Sequence, residues 1–284
     1  MDFLLHIIAL MGMMLPAILG YNLIFGRGKI LHFGPVGVSV MSAYAGVLAL
    51  TATQSFVLGG ISALASALIV STFFAWLSLK LEPDGLGVMS IAVHLAILAV
   101  VLNWNGLTRG ALGIPRVPRM PFLDSVADFA LLSVMIAACV AAGMHHVDRS
   151  SFGRKLRALA EHDWHARSLG IDKAYVHFTA FLIAGVCSAV TNFLFPQYLV
   201  LLHPNDYQFP ALVFTVMLVV AGGPGSVMGV TLSTILLVSL KEALRFVPLA
   251  PSVLGPVRLM LFGAILFVAV WWRRDTLFPK ARSV

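Results

Sequence analysis

Chemistry, if this chain performs any, would have to come from few residues. His162 and His165 stand three apart and His145 adjoins His146, spacings at which imidazoles can share a metal ion. Neither pair comes with a cysteine or carboxylate set of a known kind, and HExxH does not occur, so no metal site is expected. Cys139 and Cys187 lie in apolar runs without paired spacing and read as buried free thiols. Ser226 sits in a Pro-Gly-Ser-Val stretch rather than a GxSxG elbow, and no paired aspartates fall within apolar runs. Neither catalytic residues nor a cofactor are therefore expected. The chain also lacks GxxxxGK[ST], the loop whose amides and lysine cradle nucleotide phosphates.

Charge is concentrated instead. The segment 148–173 holds ten of the thirty-one charged residues and is flanked by long apolar runs. Ser150 or Ser151 can cap a helix there, and Gly170 suits its far end. Phe152, Leu156, Leu159 and Ala160 share one face at three- and four-residue spacing, with Arg154, Lys155 and Arg157 turned away. Such a helix between two membrane spans needs a partner for its apolar face: headgroups, the chain's own helix ends, or another protein's groove.

The elements that position these residues follow from composition. Hydrophobic residues make up 60% of 284 and charged residues 11%, with a mean hydropathy of +0.95. No soluble fold covers that much apolar surface, so an all-α integral membrane protein is expected. The net charge of +7 fits basic inter-span loops better than nucleic-acid binding. No signal-peptide pattern precedes the first apolar run, so it reads as a span.

With about 20 apolar residues per crossing, the runs predict about nine spans, within a range of eight to ten. The first covers Phe3 to Phe25 and bends near Pro16. Residues 30–79 carry no formal charge and must fold back around Thr51 to Ser55. Further spans are Gly85 to Trp104, Phe129 to Val147 and Ala174 to Pro196. Two shorter ones lie in 208–240, broken at Gly222 to Ser226, and the last ends at Trp271, Trp272, Arg273 and Arg274. With 148–173 and the C-terminus cytoplasmic, thirteen of nineteen Lys and Arg fall inside and the N-terminus outside. The whole chain, 1–284, reads as one transmembrane domain.

The charged segment resembles the coupling loop of the membrane subunits of branched-chain amino acid ABC importers. The matching residues are Ser150, Phe152, Gly153, Arg154, Leu156, Arg157, Ala158, Glu161, Ala166, Leu169, Gly170 and Ile171. His165 and Ala160 depart from the pattern, where an Ala and an Arg are usual. A second block, Gly20 to Tyr44, is similar at Gly20, Asn22, Leu23, Gly26, Lys29, Phe33, Ala43 and Tyr44. It carries Pro35 and Gly37 where many members have a His and an acidic residue. A third, Gly222 to Gly229, matches at Gly222, Gly223, Gly225, Ser226 and Gly229. It reads either as a tight turn or as a broken helix whose amides line a polar path. The loop Asn105 to Pro118 resembles an external loop of the family. Arg109, Arg116 and Arg119 would face outward there, as solvated residues or against an acidic partner.

The resemblance implies a permease subunit of an ABC importer in a bacterial inner membrane. ATPase coupling would fall to Phe152, Gly153, Arg154, Leu156, Arg157, Glu161, Ala166, Leu169 and Gly170. The translocation path would involve Asn22, Tyr44, Asn192, Gly222, Gly223, Gly225 and Ser226. Implied partners are a second homologous permease, two cytoplasmic ATP-binding subunits, a periplasmic substrate-binding protein and membrane lipid. Branched-chain amino acids are the expected cargo, with urea, amides or another small solute as the alternative. An ion-coupled carrier usually keeps carboxylates in its spans, which these runs lack.

Overall fold

A computed structural model describes residues 2–246 and 251–272. The long helices are α1 (Asp2–Tyr21), α2 (Pro35–Thr53), α3 (Phe56–Lys80) and α4 (Pro83–Asn103). A short α5 (Asn105–Thr108) and strand β1 (Ile114–Pro115) precede α6 (Val126–Arg149). Then come α7 (Ser151–Glu161), α8 (Asp163–Ser168), α9 (Lys173–Leu199) and strand β2 (Leu201–Leu202). The chain continues with α10 (Phe209–Gly222), α11 (Val227–Ala243) and α12 (Pro251–Trp272). The protein is thus an all-α membrane protein, its only sheet among the described residues being the two-residue pair Ile114↔Leu202 and Pro115↔Leu201.

Seven helices are long and apolar enough to cross a bilayer. The pair α10 and α11, with 14 and 17 residues, brings the passes between the two ends of the bundle to nine among the described residues. At 1.5 Å per residue they reach roughly 21 and 26 Å, less than the ~30 Å hydrocarbon core. One end of the bundle carries α7, α8, Arg27 and the α10–α11 turn; the other carries the Gln54 turn and the paired strands.

Local chemistry sets the boundaries. Gln54, with φ of 53°, ends α2, and the Ser55 hydroxyl accepts from Leu58 N to start α3, so the fold-back falls within the expected Thr51 to Ser55. Ser125 and Asp128 form a capping box on α6. Asp172 caps α9 by accepting from the amides of Ala174 and Tyr175. Small residues let the central helices approach closely. A Cβ on Gly185 of α9 would lie 2.5 Å from the Ser71 hydroxyl of α3, and one on Gly12 of α1 would lie 2.5 Å from that of Ser133 on α6.

The first span is longer and less regular than its composition suggests. Past Tyr21 it continues to Arg27 as a π-helical turn, closed by Gly28 N to Leu23 O at 3.0 Å. Beside Pro16, the Thr191 hydroxyl of α9 accepts from Ala17 N at 3.1 Å and donates to Met13 O at 2.8 Å. A side chain from another helix therefore bridges the i to i−4 step where the proline disturbs the ladder.

Two expectations are corrected. The amphipathic helix does not run to Gly170: it breaks at His162, whose extended backbone (φ −150°, ψ 91°) separates α7 from α8. The apolar spacing that buries Leu156 and Leu159 would next present Asp163, which instead turns to pair with Lys173 at 2.9 Å. Cys139 is exposed on α6 and only Cys187 is buried, because an apolar run places residues toward lipid as readily as toward the core. Arg119 is exposed as expected and also donates to the carbonyls of Gln197 and Tyr198 at the end of α9. The basic residues Arg273, Arg274, Lys280 and Arg282 lie outside the described residues.

The hairpin of α10 and α11 closes without room for a side chain, since a Cβ on Gly229 would strike the Gly222 carbonyl. Gly229→Val is expected to cost about 1–3 kcal/mol through forced separation of the helices. A thermal unfolding midpoint in detergent equal to the parent's would contradict this packing.

Candidate functional site

A cavity of about 820 Å³ lies inside the bundle, walled by α1, α2, α9 and α10 and closed on one side by α11 and α12. Its polar stripe comes from α9. Ser188, Thr191 and Asn192, at i, i+3 and i+4, all line it. Asn192 Nδ2 donates to the Ser188 carbonyl at 2.8 Å and to its hydroxyl at 3.1 Å, and that hydroxyl lies 3.2 Å from Ser39 Oγ on α2. Ser71, Tyr21 and His32 add polar atoms nearer the α7 end. A second hollow, about 740 Å³ between α10 and α12, is lined by aliphatic side chains and Trp272.

Charge collects at the opposite mouth. Asp206, Lys241 and Glu242 line the cavity there with His6 and Asn205. The Glu242 carboxylate stands 4.0 Å from His6 Nε2, and His6 Nδ1 is 2.5 Å from the Tyr198 hydroxyl. Burial raises the Asp206 carboxyl above its ordinary range, with His203 and Lys241 opposing the rise. Deeper in, the lining contains no Asp, Glu, Lys or Arg among the described residues. The arrangement suits passage of a solute without net charge.

Of the residues expected on a path, Asn192 lines this cavity. Tyr44 is buried and outside the wall, its hydroxyl unpaired. Asn22 points away, its Oδ1 accepting from Gly225 N at 2.8 Å. Gly222, Gly223, Gly225 and Ser226 form a tight turn whose amides are already engaged, Ser226 Oγ taking that of Gly229 at 3.0 Å. Pro35 lines the cavity as it opens α2. His32 and Thr191 were not singled out from sequence. A polar residue within an apolar run is the only signal Thr191 gives, and His32 acquires its neighbours only through folding.

The α7 segment forms a second surface. Ser150 caps it, accepting from Gly153 N at 3.2 Å. Gly153, Leu156 and Leu159 are buried, as is Ala166 on α8, and Phe152 is half-buried. Arg154, Arg157, Glu161 and Gly170 are exposed; Trp164 and Leu169 are 76% and 82% exposed. Gly153 is needed inside the chain, because its Cβ would lie 2.5 Å from the Val147 carbonyl oxygen. Leu156 packs against Gly28, where a Cβ would lie 3.1 Å from Leu156 Cδ1.

Charge fastens the same joint. Asp148, at the end of α6, pairs with Arg27 at the end of the π turn, and Arg157 of α7 lies 3.9 Å from its other oxygen. From Arg27 the π turn leads back to Asn22 and so to the α10–α11 turn. A Cβ on Gly26 would strike both the Asn22 oxygen and the Gly225 amide. The exposed helices are thereby connected to two elements of the cavity wall.

A family model described as "Branched-chain amino acid transport system / permease component" matches residues 3–270. The chain is similar to the "High-affinity branched-chain amino acid transport system permease protein LivM" of Salmonella typhimurium. Identity is 25% over 298 aligned positions, covering 93% of this chain and 67% of that protein. The protein of the same name from Escherichia coli K12 is 24% identical with the same coverage. A "Probable branched-chain amino acid transport permease protein LivM" of Methanocaldococcus jannaschii is 25% identical over 75% of this chain and 65% of its own length. The chain thus spans about two thirds of the length of these relatives. No solved structure matches it.

The Arg27–Asp148 pair is mostly shielded, with side chains 18% and 23% exposed. Asp148→Asn or Arg27→Gln should each cost on the order of 1–3 kcal/mol, below the ~3–5 of a fully buried pair. The swap Arg27→Asp with Asp148→Arg should recover part of that loss in detergent unfolding. Additive losses in the swap would show that the two side chains do not interact.

Proposed function

The chain belongs to the branched-chain amino acid transport permease family, and from that premise we propose that it is a membrane-spanning subunit of an importer driven by ATP hydrolysis in partner chains. The observation that carries this reading is the packing of Leu156 on Gly28. Gly28 opens the short segment between α1 and α2 that also places His32 in the cavity wall. Force applied to the exposed side of α7 can reach the cavity through this contact.

The proposed partners are a second homologous permease, two ATP-binding subunits docking on α7 and α8, and a substrate-binding protein at the charged mouth. Orientation follows from the basic residues. Arg27, Lys29, Lys80 and the α7–α8 cations gather at one end, which the positive-inside bias assigns to the cytoplasm. The start of α1 is then periplasmic. Closure of the ATPase pair would press α7 toward Gly28 and the Arg27–Asp148 joint. That motion would shift the π turn and the α10–α11 turn and reorient the cavity between its two faces. The cargo is a small solute of zero net charge, a branched-chain amino acid in the first instance and urea or an amide in the second. An ion-gradient carrier usually keeps carboxylates deep in its path, whereas Asp206 and Glu242 stand at the mouth here.

Gly153 is a poor probe of docking, because any side chain there disturbs the α6–α7 joint itself. Glu161 and Trp164 are exposed and make better probes. Trp164→Ala is expected to weaken association with the ATPase by on the order of tenfold, as losing an interfacial aromatic anchor does. Glu161→Arg should act in the same direction, with normal membrane insertion in both variants. Co-purification in mild detergent, followed by mass spectrometry, is the measurement. Recovery of the chain without any ATPase or second permease would overturn the reading, and equal recovery from both variants would remove α7–α8 from the docking surface.

A further inference from the structure

The segment from Gly28 to Gly34 crosses between α1 and α2 and carries one side chain that packing alone does not explain. His32 is 1% exposed and lines the cavity. Its ring is set between Phe74 of α3, with centroids 4.4 Å apart, and Phe181 of α9, at 5.1 Å. The Tyr21 hydroxyl donates to its carbonyl at 2.9 Å, fixing the backbone. Gly34 leaves space for the ring, since a Cβ there would lie 2.8 Å from His32 Cε1. Yet His32 Nδ1 is sealed from water and meets no hydrogen-bond partner among the described residues. Buried polar atoms are nearly always paired, so an orphan within a cavity wall marks a place where a small shift of the wall would let a ligand complete the bond.

The surroundings define that ligand. Ile18, Ile24, Val38 and Phe181 supply apolar wall, and Ser39 and Ser71 supply hydroxyls. Burial holds the imidazole down at about 3, so it stays neutral and presents one donor and one acceptor nitrogen. We propose that His32 is the specificity-determining contact at the inner end of the cavity, binding the polar head of a small solute with zero net charge and a compact apolar body. This rests on the permease reading and assigns the residue that would select the cargo.

The test is uptake by the complete transporter, with all its subunits, in proteoliposomes supplied with ATP. Leucine, urea and acetamide serve as three radiolabelled net-neutral probes. A wild-type complex that takes up none of them refutes the permease reading and not the role of His32 alone. With a transported probe identified, His32→Phe keeps an aromatic ring between Phe74 and Phe181 but removes both nitrogens. It should raise KM about tenfold or more, as sites built to hydrogen-bond do when the bond is lost. His32→Gln keeps a donor and an acceptor and should stay within about threefold of wild type. Complex yield should be unchanged in both. Wild-type KM in His32→Phe overturns the proposal. So does equal loss of uptake in both variants, or failure of both to assemble, because the ring would then be a packing element.

Discussion

In hydrocarbon no water can pair a stray amide or carbonyl, so every backbone polar group must find its partner inside the protein. The helix α1 interrupts its own ladder twice, beside Pro16 and again in the π turn from Asn22 to Arg27. Both interruptions are met by other helices. Thr191 of α9 bridges the first, and Asn22 turns outward from the second to hold the α10–α11 turn. The irregular helix therefore joins α9 to the α10–α11 turn, and the cavity lies alongside it.

At the end that carries α7, the same helix is held by charge and by close packing. Arg27 meets Asp148, Leu156 covers Gly28, and Gly26 allows Gly225 to approach. These contacts act on adjacent residues of one turn, so displacing the α6–α7 joint without displacing the end of α1 would break an ion pair in a partly shielded site. At the other end the bundle is tied differently. Arg119 holds the last carbonyls of α9, and the paired strands join the loop after α4 to the chain leaving α9. One end is thus fastened through side chains beside α7, the other through the Arg119 guanidinium and paired backbone.

Much of this was legible in the sequence. Apolar length alone located the long helices, the fold-back near Gln54 and the break at Gly222 to Ser226, because lipid imposes a minimum length on each pass. The buried stripe of α7 followed from the spacing of Leu156 and Leu159. What escaped depended on partners distant in the chain. The helix breaks at His162, beside the Asp163–Lys173 pair, and Cys139 faces outward because α6 packs through Ser133 and its neighbours. The polar stripe of Ser188, Thr191 and Asn192 has helical spacing, but only the fold shows that a cavity lies against it. His32 was hidden most fully, since Tyr21, Phe74 and Phe181 converge on it from three helices.

The Thr191 bridge also bears on biogenesis. Ala17 and its partner hydroxyl are 174 residues apart. At about 5–20 residues per second, synthesis reaches α9 roughly 9–35 s after α1 has emerged. Through that interval the opened step beside Pro16 lacks its final partner, so α1 enters the bilayer unfinished. Its settled position is acquired late, when α9 arrives, and the N-terminal helix is among the last elements of the bundle to lock in place.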